Sequence, residues 1–298
     1  MQHDYANLAA LAAVLRSGSF HGGAEALGVT PSAISQRIKQ LEERFGAILI
    51  LRGKPCTPTA MGNRLLRHIE ALELMEVALA SDLDLDTPGV GTIRVGVNAD
   101  SLATWLIDAL SKLPDTIFEL VICDQDYSDE LLRAGEVSIA ITGTAEPVQG
   151  CDVFPLGQMI YAATAAPSYM ARYFPDGVTP EALQRAPPLR FSDRDQLQRQ
   201  WALQHFGSER LGPSHLIPTT NGFVDACCAG MGWGLNVASM VEQALASGDL
   251  VELIPDSRLI SPLYWQVMRN QKAAMAPLTD RVLAEARKQL APMPAASD

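Results

Sequence analysis

The sequence predicts an α/β protein in which a small, mostly helical N-terminal part precedes a larger part of alternating strands and helices. Three observations lead to this prediction. Apolar residues recur at helical spacing between residues 31 and 45, short β-branched runs alternate with helical patterns beyond residue 92, and a polar stretch with Asp, Pro and Gly at 82–91 separates the two parts. With 298 residues, the chain is long enough for about two domains.

The first residues predict two helices. The first is expected to span Tyr5–Ser17, with an apolar face formed by Leu8, Leu11, Ala12 and Leu15. The second ends at Gly28-Val29 and contains Gly22-Gly23. Because glycine inside a helix costs about 1 kcal/mol relative to alanine, we expect this second helix to depend on tertiary packing.

A third helix is predicted from Pro31 onward, and its two faces differ. Thr30 is placed to cap it, and proline at the first helical position loses no hydrogen bond. One face carries an apolar stripe of Ile34, Ile38, Leu41 and Phe45. The opposite face carries Ser32, Gln36 and Lys39, with Ser35 and Arg37 on its flanks, and these groups suit base edges and phosphates in a major groove. Any two-helix hairpin can show this pattern, so the helix alone leaves DNA binding and a plain helical corner open.

The residues after this helix favour DNA binding. A short β-ribbon is predicted from residues 49–52 and 57–59, and a new helix begins near Thr59, which is the order of a winged helix-turn-helix over residues 1–58. The net charge of the chain is −11, yet residues 30–67 contain seven Lys and Arg against two Glu. Such a local basic stripe supports phosphate contacts. We expect Ser32, Ser35 and Gln36 to meet base edges, Lys39 to meet base or phosphate, and Arg37, Arg52 and Thr59 to hold the DNA backbone.

A long helix is predicted from Thr59 to about Ser81, within a linker and hinge at 59–88. It carries leucines and isoleucine at four–three spacing, interrupted by Glu76: Leu65, Ile69, Leu72, Leu79 and Leu83. An ordinary packed helix would show the same stripe. Dimerisation is favoured, because an apolar strip next to a small domain has little intrachain core to cover it.

The remaining residues, 89–298, predict a two-lobed domain, with lobe 1 at about 89–164 and 266–298 and lobe 2 at about 165–265. Alternating strands and helices indicate parallel sheets. Strands are expected at 93–97, 118–123, 137–142, 159–165, 189–191, 217–219, 234–237 and 263–268. Helices are expected at 101–113, 128–134, 197–206, 223–229, 240–247 and 277–290.

Polar residues at the predicted strand ends suggest a ligand site. Ligands of open α/β sheets settle at the carboxyl ends of strands, where helix N-termini attract a ligand carboxylate. The candidates are Asn98, Asp100, Ser101, Asp124, Asp126, Asp193 and Asn221. Each could be a cap or turn residue, but together their acceptors favour a cationic or zwitterionic small molecule.

The N-terminal motifs resemble those of the LysR-type transcriptional regulators. The matching residues are Ala24–Leu27, Ser32-Ala33-Ile34-Ser35-Gln36, Ile38, Leu41-Glu42, Phe45-Gly46, Leu49, Arg52, Thr59 and Gly62. The resemblance implies an effector domain like a periplasmic solute-binding protein, pairing of two chains through the linker helix, and assembly as a homodimer or homotetramer on double-stranded DNA, with RNA polymerase as a further candidate partner.

Three further segments resemble the branch that controls basic amino-acid export, often called the LysG/ArgP type. They are VNADSLATWL at 97–106, YFPDGVT at 173–179 and LYW at 263–265. This branch implies L-lysine or L-arginine as co-effector and an exporter gene as target. Some members are known as inhibitors of replication initiation, so a nucleoid- or origin-binding architectural protein remains the alternative.

Other classes of function have less support in the sequence. We find no Gly-rich phosphate loop, metal-spaced His or Cys set, or Gly-x-Ser-x-Gly elbow, so no enzyme activity, metal or cofactor is expected. The chain lacks a run of about 20 apolar residues and a cationic secretory start, which indicates a cytoplasmic protein. Cys227-Cys228 are expected to be small buried hydrophobes, with thiol sensing as the alternative.

Overall fold

The computed structural model describes residues 5–82, 92–114, 116–124 and 127–294. The chain divides into two compact units. The first contains Met1–Ile93 with the short pieces Asp115–Glu119 and Ala134–Ser138, and the second contains the remainder.

The first unit is a winged helix-turn-helix followed by a long helix. Its elements are α1 (Tyr5–Ser17), α2 (Phe20–Ala26), α3 (Pro31–Phe45), β1 (Ile50–Leu51), β2 (Thr57–Pro58) and α4 (Ala60–Asp82). The strands β1 and β2 pair antiparallel and form the wing. The predicted apolar stripe of α3 is buried against α1, because Ile34, Ile38 and Leu41 belong to one core cluster with Leu11 and Val14.

Close packing of α1 and α2 explains the glycines inside α2. A Cβ atom added to Gly23 would lie 2.9 Å from both Cγ2 and the backbone nitrogen of Val14. A Cβ atom on Gly22 would lie 2.8 Å from the Cβ atom of Ser17. Glycine therefore permits an approach of the two backbones that any larger residue would prevent, and the expected dependence of α2 on tertiary packing is confirmed.

The start of α4 belongs to the core of the first unit. Leu65 and Ile69 are 8% and 6% exposed and lie in the same cluster as Ile38. The expectation that this strip lacks an intrachain partner is therefore wrong for its first two members. One turn further on, Glu73 accepts hydrogen bonds of 3.1 and 2.6 Å from the two terminal nitrogens of Arg16 in α1. The side chains of Leu79 and Leu83 lie outside the described residues.

Strands and helices alternate along the chain from Thr92 to Gln289, and nearly all of them belong to the second unit. In order they are β3 (Thr92–Val97), α5 (Ala99–Thr104), α6 (Leu106–Leu110), β4 (Ile117–Ile122), α7 (Ser128–Arg133), β5 (Ile139–Thr142), β6 (Cys151–Ala165), α8 (Pro167–Tyr173), α9 (Pro180–Arg185), β7 (Leu189–Arg190), α10 (Leu197–Phe206), β8 (His215–Leu216), α11 (Thr220–Cys228), β9 (Gly234–Val237), α12 (Ala238–Ser247), β10 (Val251–Glu252), β11 (Arg258–Met268) and α13 (Ala276–Gln289).

The sheet is mixed, and this corrects the prediction of parallel sheets. Its order is β10-β6-β11-β5-β3-β4, with β9 also pairing β6. The strands β3 and β5 are parallel, as are β7 and β8 in a separate two-stranded sheet. However, β6 and β11 are antiparallel along their length, from Arg258 opposite Ala162 to Met268 opposite Cys151. Their opposite directions follow from their roles, since β6 carries the chain from one half to the other and β11 brings it back.

These two crossing strands join two halves of the unit. The first half contains β3–β5, α5–α7 and α13, and the second contains α8–α12 with β7–β10. The helix expected at 101–113 is two helices instead, separated at Trp105, whose φ of −127° is not helical. Trp105 is 1% exposed, so its ring is part of the core at this break.

The adjacent cysteines of α11 lie in different environments. Cys227 is fully buried, and burial raises the pKa of its thiol to about 12. Cys228 is exposed, so the expectation that both are buried is wrong. Consecutive helical residues point about 100° apart, and only one of the two can face the core.

Candidate functional site

The helix α3 is anchored by its apolar face and by its caps. The hydroxyl of Thr30 accepts a hydrogen bond of 3.2 Å from the backbone N–H of Ala33, and Pro31 occupies the first turn. Gly46 ends the helix in the left-handed conformation, with φ of 64°. A helix fixed at both ends and along one side presents the opposite side in a defined orientation.

That opposite side carries the residues predicted to read DNA. Ser32, Ser35, Gln36 and Lys39 are exposed, and Arg37 is half-buried. The Ser35 hydroxyl donates to the carbonyl of Pro31 at 2.9 Å, which leaves its oxygen free to accept. Lys39 lies 3.6 Å from Glu43, and both side chains are mostly exposed. Such a solvated pair is weak, so the ammonium group can exchange Glu43 for a phosphate.

The wing and the start of α4 place the two remaining candidates. Arg52 is exposed, and its guanidinium carbon lies 5.1 Å from the centre of the Phe20 ring. The Thr59 hydroxyl instead forms hydrogen bonds with the protein's own backbone. It donates to the carbonyl of Ile48 at 2.8 Å and accepts from the N–H of Gly62 at 3.1 Å, which caps α4.

In the second unit, a cavity of about 330 Å³ lies between the two halves. The carboxyl ends of β3, β4 and β7 border it, together with the first turn of α11 and strand β9. Among the lining residues that the structure describes, four are acidic and one is basic: Asp100, Asp124, Glu130, Asp195 and Arg194. The excess of carboxylates favours a ligand that carries positive charge.

Asp100 is the best-defined polar group of the cavity. One of its carboxylate oxygens accepts a hydrogen bond of 2.8 Å from the Tyr161 hydroxyl, and the other accepts one of 3.2 Å from the Thr220 hydroxyl. Burial raises the pKa of the Asp100 carboxyl above its ordinary value, against the opposite effect of these two hydrogen bonds. Thr220 belongs to the second half and Asp100 to the first, so this bond also joins the halves.

The structure brings together only part of the predicted ligand set. Asn98, Asp100 and Asp124 line the cavity. Ser101 is completely buried in α5 behind it, and Asp193 and Asn221 are exposed and outside the lining. Asp126 lies outside the described residues.

Sequence analysis missed three residues that line the cavity or bond to Asp100, namely Thr220, Asp195 and Tyr161. Asp195 is 5% exposed, and its carboxylate accepts hydrogen bonds from the backbone N–H groups of Phe191 at 2.8 Å and Leu197 at 3.0 Å. An Asp two residues before a predicted helix is a recognisable capping signal, which could have favoured Asp195 over Asp193. Tyr161 had no such signal, because it lies within a buried strand.

The described part of the chain contains neither a candidate membrane-spanning helix nor a candidate metal site. No helix within residues 5–82 or the later described ranges is long and apolar enough to cross a membrane. Among the same residues, no group of three His, Cys, Asp or Glu side chains could hold a metal ion.

Comparisons with known proteins agree with the two-unit architecture. Residues 5–63 match the bacterial regulatory helix-turn-helix proteins of the lysR family, and residues 87–291 match the LysR substrate binding domain. The HTH-type transcriptional regulator ArgP of Pseudomonas aeruginosa (strain UCBPP-PA14) is 41% identical over 288 residues, which cover 95% of this chain and 96% of that protein.

Two solved structures are similar over nearly the whole chain. ArgP from Mycobacterium tuberculosis has 39% identity and a TM-score of 0.82, covering 98% of this chain and 100% of that one. Full-length LysG from Corynebacterium glutamicum with bound effector Arg has 31% identity and a TM-score of 0.69, covering 97% and 100%. With both family domains matched in order and close relatives over its full length, the chain belongs to the LysR family of bacterial helix-turn-helix transcriptional regulators.

Proposed function

We propose that the cavity of this LysR-type regulator binds a basic amino acid, lysine or arginine, and that occupancy controls transcription of an amino-acid exporter gene. The observation that carries this proposal is the environment of Asp100. Hydroxyl groups of Tyr161 and Thr220 hold its carboxylate, and hydroxyls carry no charge to offset it. A ligand ammonium group would supply that positive charge, and burial strengthens its interaction with the carboxylate.

The first turn of α11 suits the carboxylate of the same ligand. This helix has nine residues, and Thr219 at its N-cap makes no side-chain capping hydrogen bond. Its first N–H groups and positive dipole end can therefore accept an anion, and Thr220 beside them lines the cavity. An ammonium at Asp100 and a carboxylate at α11 describe an amino acid, and Asp124 and Asp195 favour a cationic side chain. The related LysG of Corynebacterium glutamicum has been solved with bound effector Arg.

The exposed face of α3 is the proposed DNA-reading surface. Ser32, Ser35 and Gln36 would contact base edges, and Lys39 would be shared between bases and phosphates. Two chains paired through α4 would place two such helices on a symmetric operator, and two dimers would form a tetramer. RNA polymerase would contact this assembly at the promoter.

A thermal-shift series on the full chain tests the ligand class. At 100 times its dissociation constant, a ligand adds about 2.7 kcal/mol to the free energy of unfolding. We expect L-arginine or L-lysine to raise the melting temperature. Norleucine, which lacks the side-chain amine of lysine, and agmatine, which lacks the carboxylate of arginine, should have little effect. Equal shifts with norleucine would contradict the basic amino-acid assignment.

A footprinting titration on the promoter of a candidate exporter gene tests the DNA function. Sequence-specific binding should persist at salt concentrations that abolish binding to unrelated DNA, because non-specific affinity rests almost entirely on counterion release. Equal affinity and equal salt dependence on both fragments would indicate an architectural DNA-binding protein instead.

A further inference from the structure

At the rim of the cavity, a side chain of the second half reaches the first half. Arg194 lies in the loop after β7, and its terminal nitrogen is 3.5 Å from a carboxylate oxygen of Glu130 in α7. Its guanidinium carbon also lies 4.4 Å from the centre of the Tyr127 ring. All three residues line the cavity. The guanidinium therefore makes an ion pair and a cation–π contact across the opening.

The loop that carries Arg194 is fixed from within. The Asp195 carboxylate accepts hydrogen bonds from the N–H groups on both sides of the loop, Phe191 and Leu197. The Arg190 side chain donates to the Asp195 carbonyl at 3.1 Å. Arg194 thus extends from a rigid base, and its contact with the first half restrains the two halves relative to each other.

The segment of the first half that contacts Arg194 is anchored as well. The Ser128 hydroxyl at the start of α7 donates to the carbonyl of Ile141 in β5 at 2.5 Å. The backbone N–H of Glu130 donates to the carbonyl of Tyr127 at 3.0 Å. Glu130 and Tyr127 therefore present a carboxylate and an aromatic ring from one short, tethered segment of the first half.

We propose that Arg194, Glu130 and Tyr127 form a latch that holds the cleft closed and sets how fast a bound ligand leaves. The identity of the ligand in this inference rests on the proposed function, whereas the latch itself does not depend on it. It is separate from the deeper bond between Thr220 and Asp100, which faces the ligand. The Arg194 and Glu130 side chains are 58% and 59% exposed, so salt screens the latch and it opens readily.

The size of the effect follows from the two contacts. An exposed ion pair and a cation–π contact together change an equilibrium by about threefold to thirtyfold. Because the latch restrains the halves without holding the ligand, its loss should accelerate dissociation of lysine and of arginine by the same factor.

A measurement without ligand tests the latch directly. In the full-length protein, Arg194→Ala removes both contacts and should increase amide hydrogen exchange in residues 127–131 and 192–197 about threefold to thirtyfold. Glu130→Gln removes the ion pair alone and should increase it about 1.4-fold to fivefold. Arg199→Ala removes another exposed arginine of the second half, in α10, and should leave both segments unchanged. Unchanged exchange in both latch variants would overturn the proposal, whichever ligand the protein binds.

Stopped-flow dissociation then tests its effect on the ligand. Arg194→Ala should accelerate release of lysine and arginine equally. Glu130→Gln should add little in the Arg194→Ala background, because Arg194→Ala has already removed the ion pair with Glu130. Unequal factors for the two amino acids would show that Arg194 contacts the ligand, and would overturn the latch. If the wild-type protein binds neither amino acid, the proposed function fails, and the hydrogen-exchange result alone decides the latch.

Discussion

The helix α3 and the cavity are assembled in different ways. In α3, fifteen consecutive residues supply both the buried face and the exposed face, so one local pattern determines the surface. The cavity instead takes Asp100, Asp195 and Thr220 from three separated segments, and its central carboxylate depends on Tyr161 from a fourth. In α3, substitutions on the buried face should therefore change stability, and substitutions on the exposed face should change DNA recognition. In the cavity, a substitution in one segment should alter the environment of groups from the other segments.

The largest expected effect is on the buried face of α3. Ile38→Ala should lower the free energy of unfolding of the first unit by about 2–5 kcal/mol, because it leaves a cavity in a packed core. Lys39→Ala, one residue away on the exposed face, should change it by less than about 0.5 kcal/mol. Urea denaturation followed by circular dichroism measures both. Similar losses for the two variants would mean that the faces are not separated as the structure shows.

In the cavity, Asp100→Asn should weaken amino-acid binding by about 1.5–3 kcal/mol, because it removes a charge-assisted hydrogen bond. Isothermal titration calorimetry measures the change. Asp193→Asn, an exposed acid outside the lining, is the matched control and should bind normally. Operator binding should survive in both variants, and its loss in Asp100→Asn would assign this residue a folding role.

On the exposed face of α3, Gln36→Ala should reduce discrimination at one base pair by about 1–3 kcal/mol with no loss of stability. Lys39→Ala should instead weaken binding to all sequences and reduce its salt dependence. Competition gel shifts with single-base operator variants distinguish the two. Undiminished discrimination by Gln36→Ala would remove this residue from the reading surface.

The smallest effect concerns pH. Burial raises the pKa of the Asp100 carboxyl, so in the empty cavity this group keeps its proton to a higher pH than an exposed aspartate. A ligand ammonium requires the ionised form, and affinity should therefore fall as pH decreases through the raised pKa. The limiting slope is about 1.4 kcal/mol per pH unit. Calorimetric titrations over a pH series should show this slope in the wild type and none in Asp100→Asn.

Sequence reasoning succeeded where structure is local. The caps and stripe of α3, the bounds of α1 and the order of the wing follow from neighbouring residues. The same reasoning located Asp100, because a polar residue between a strand and a helix is visible in one segment. It missed Tyr161, whose importance depends on a hydroxyl reaching a carboxylate 61 residues away.

The remaining errors have the same origin. Asp193 and Asp195 have similar local settings, and only the folded loop turns Asp195 inward. Helical spacing in α4 could not distinguish a stripe that meets another chain from one whose first members meet α1. Long-range pairing also decides the sheet, since β6 and β11 find each other across about 100 residues of chain.

The burial of Leu65 and Ile69 has a practical consequence for anyone dissecting this protein. A fragment that stops at the end of the wing would expose the apolar residues that α4 now covers. It would also lose the ion pair between Arg16 and Glu73. An autonomous DNA-reading module therefore needs the chain to about residue 73. The same contacts fix the first turns of the long helix against α1, so this part of α4 and the winged helix-turn-helix form one packed unit.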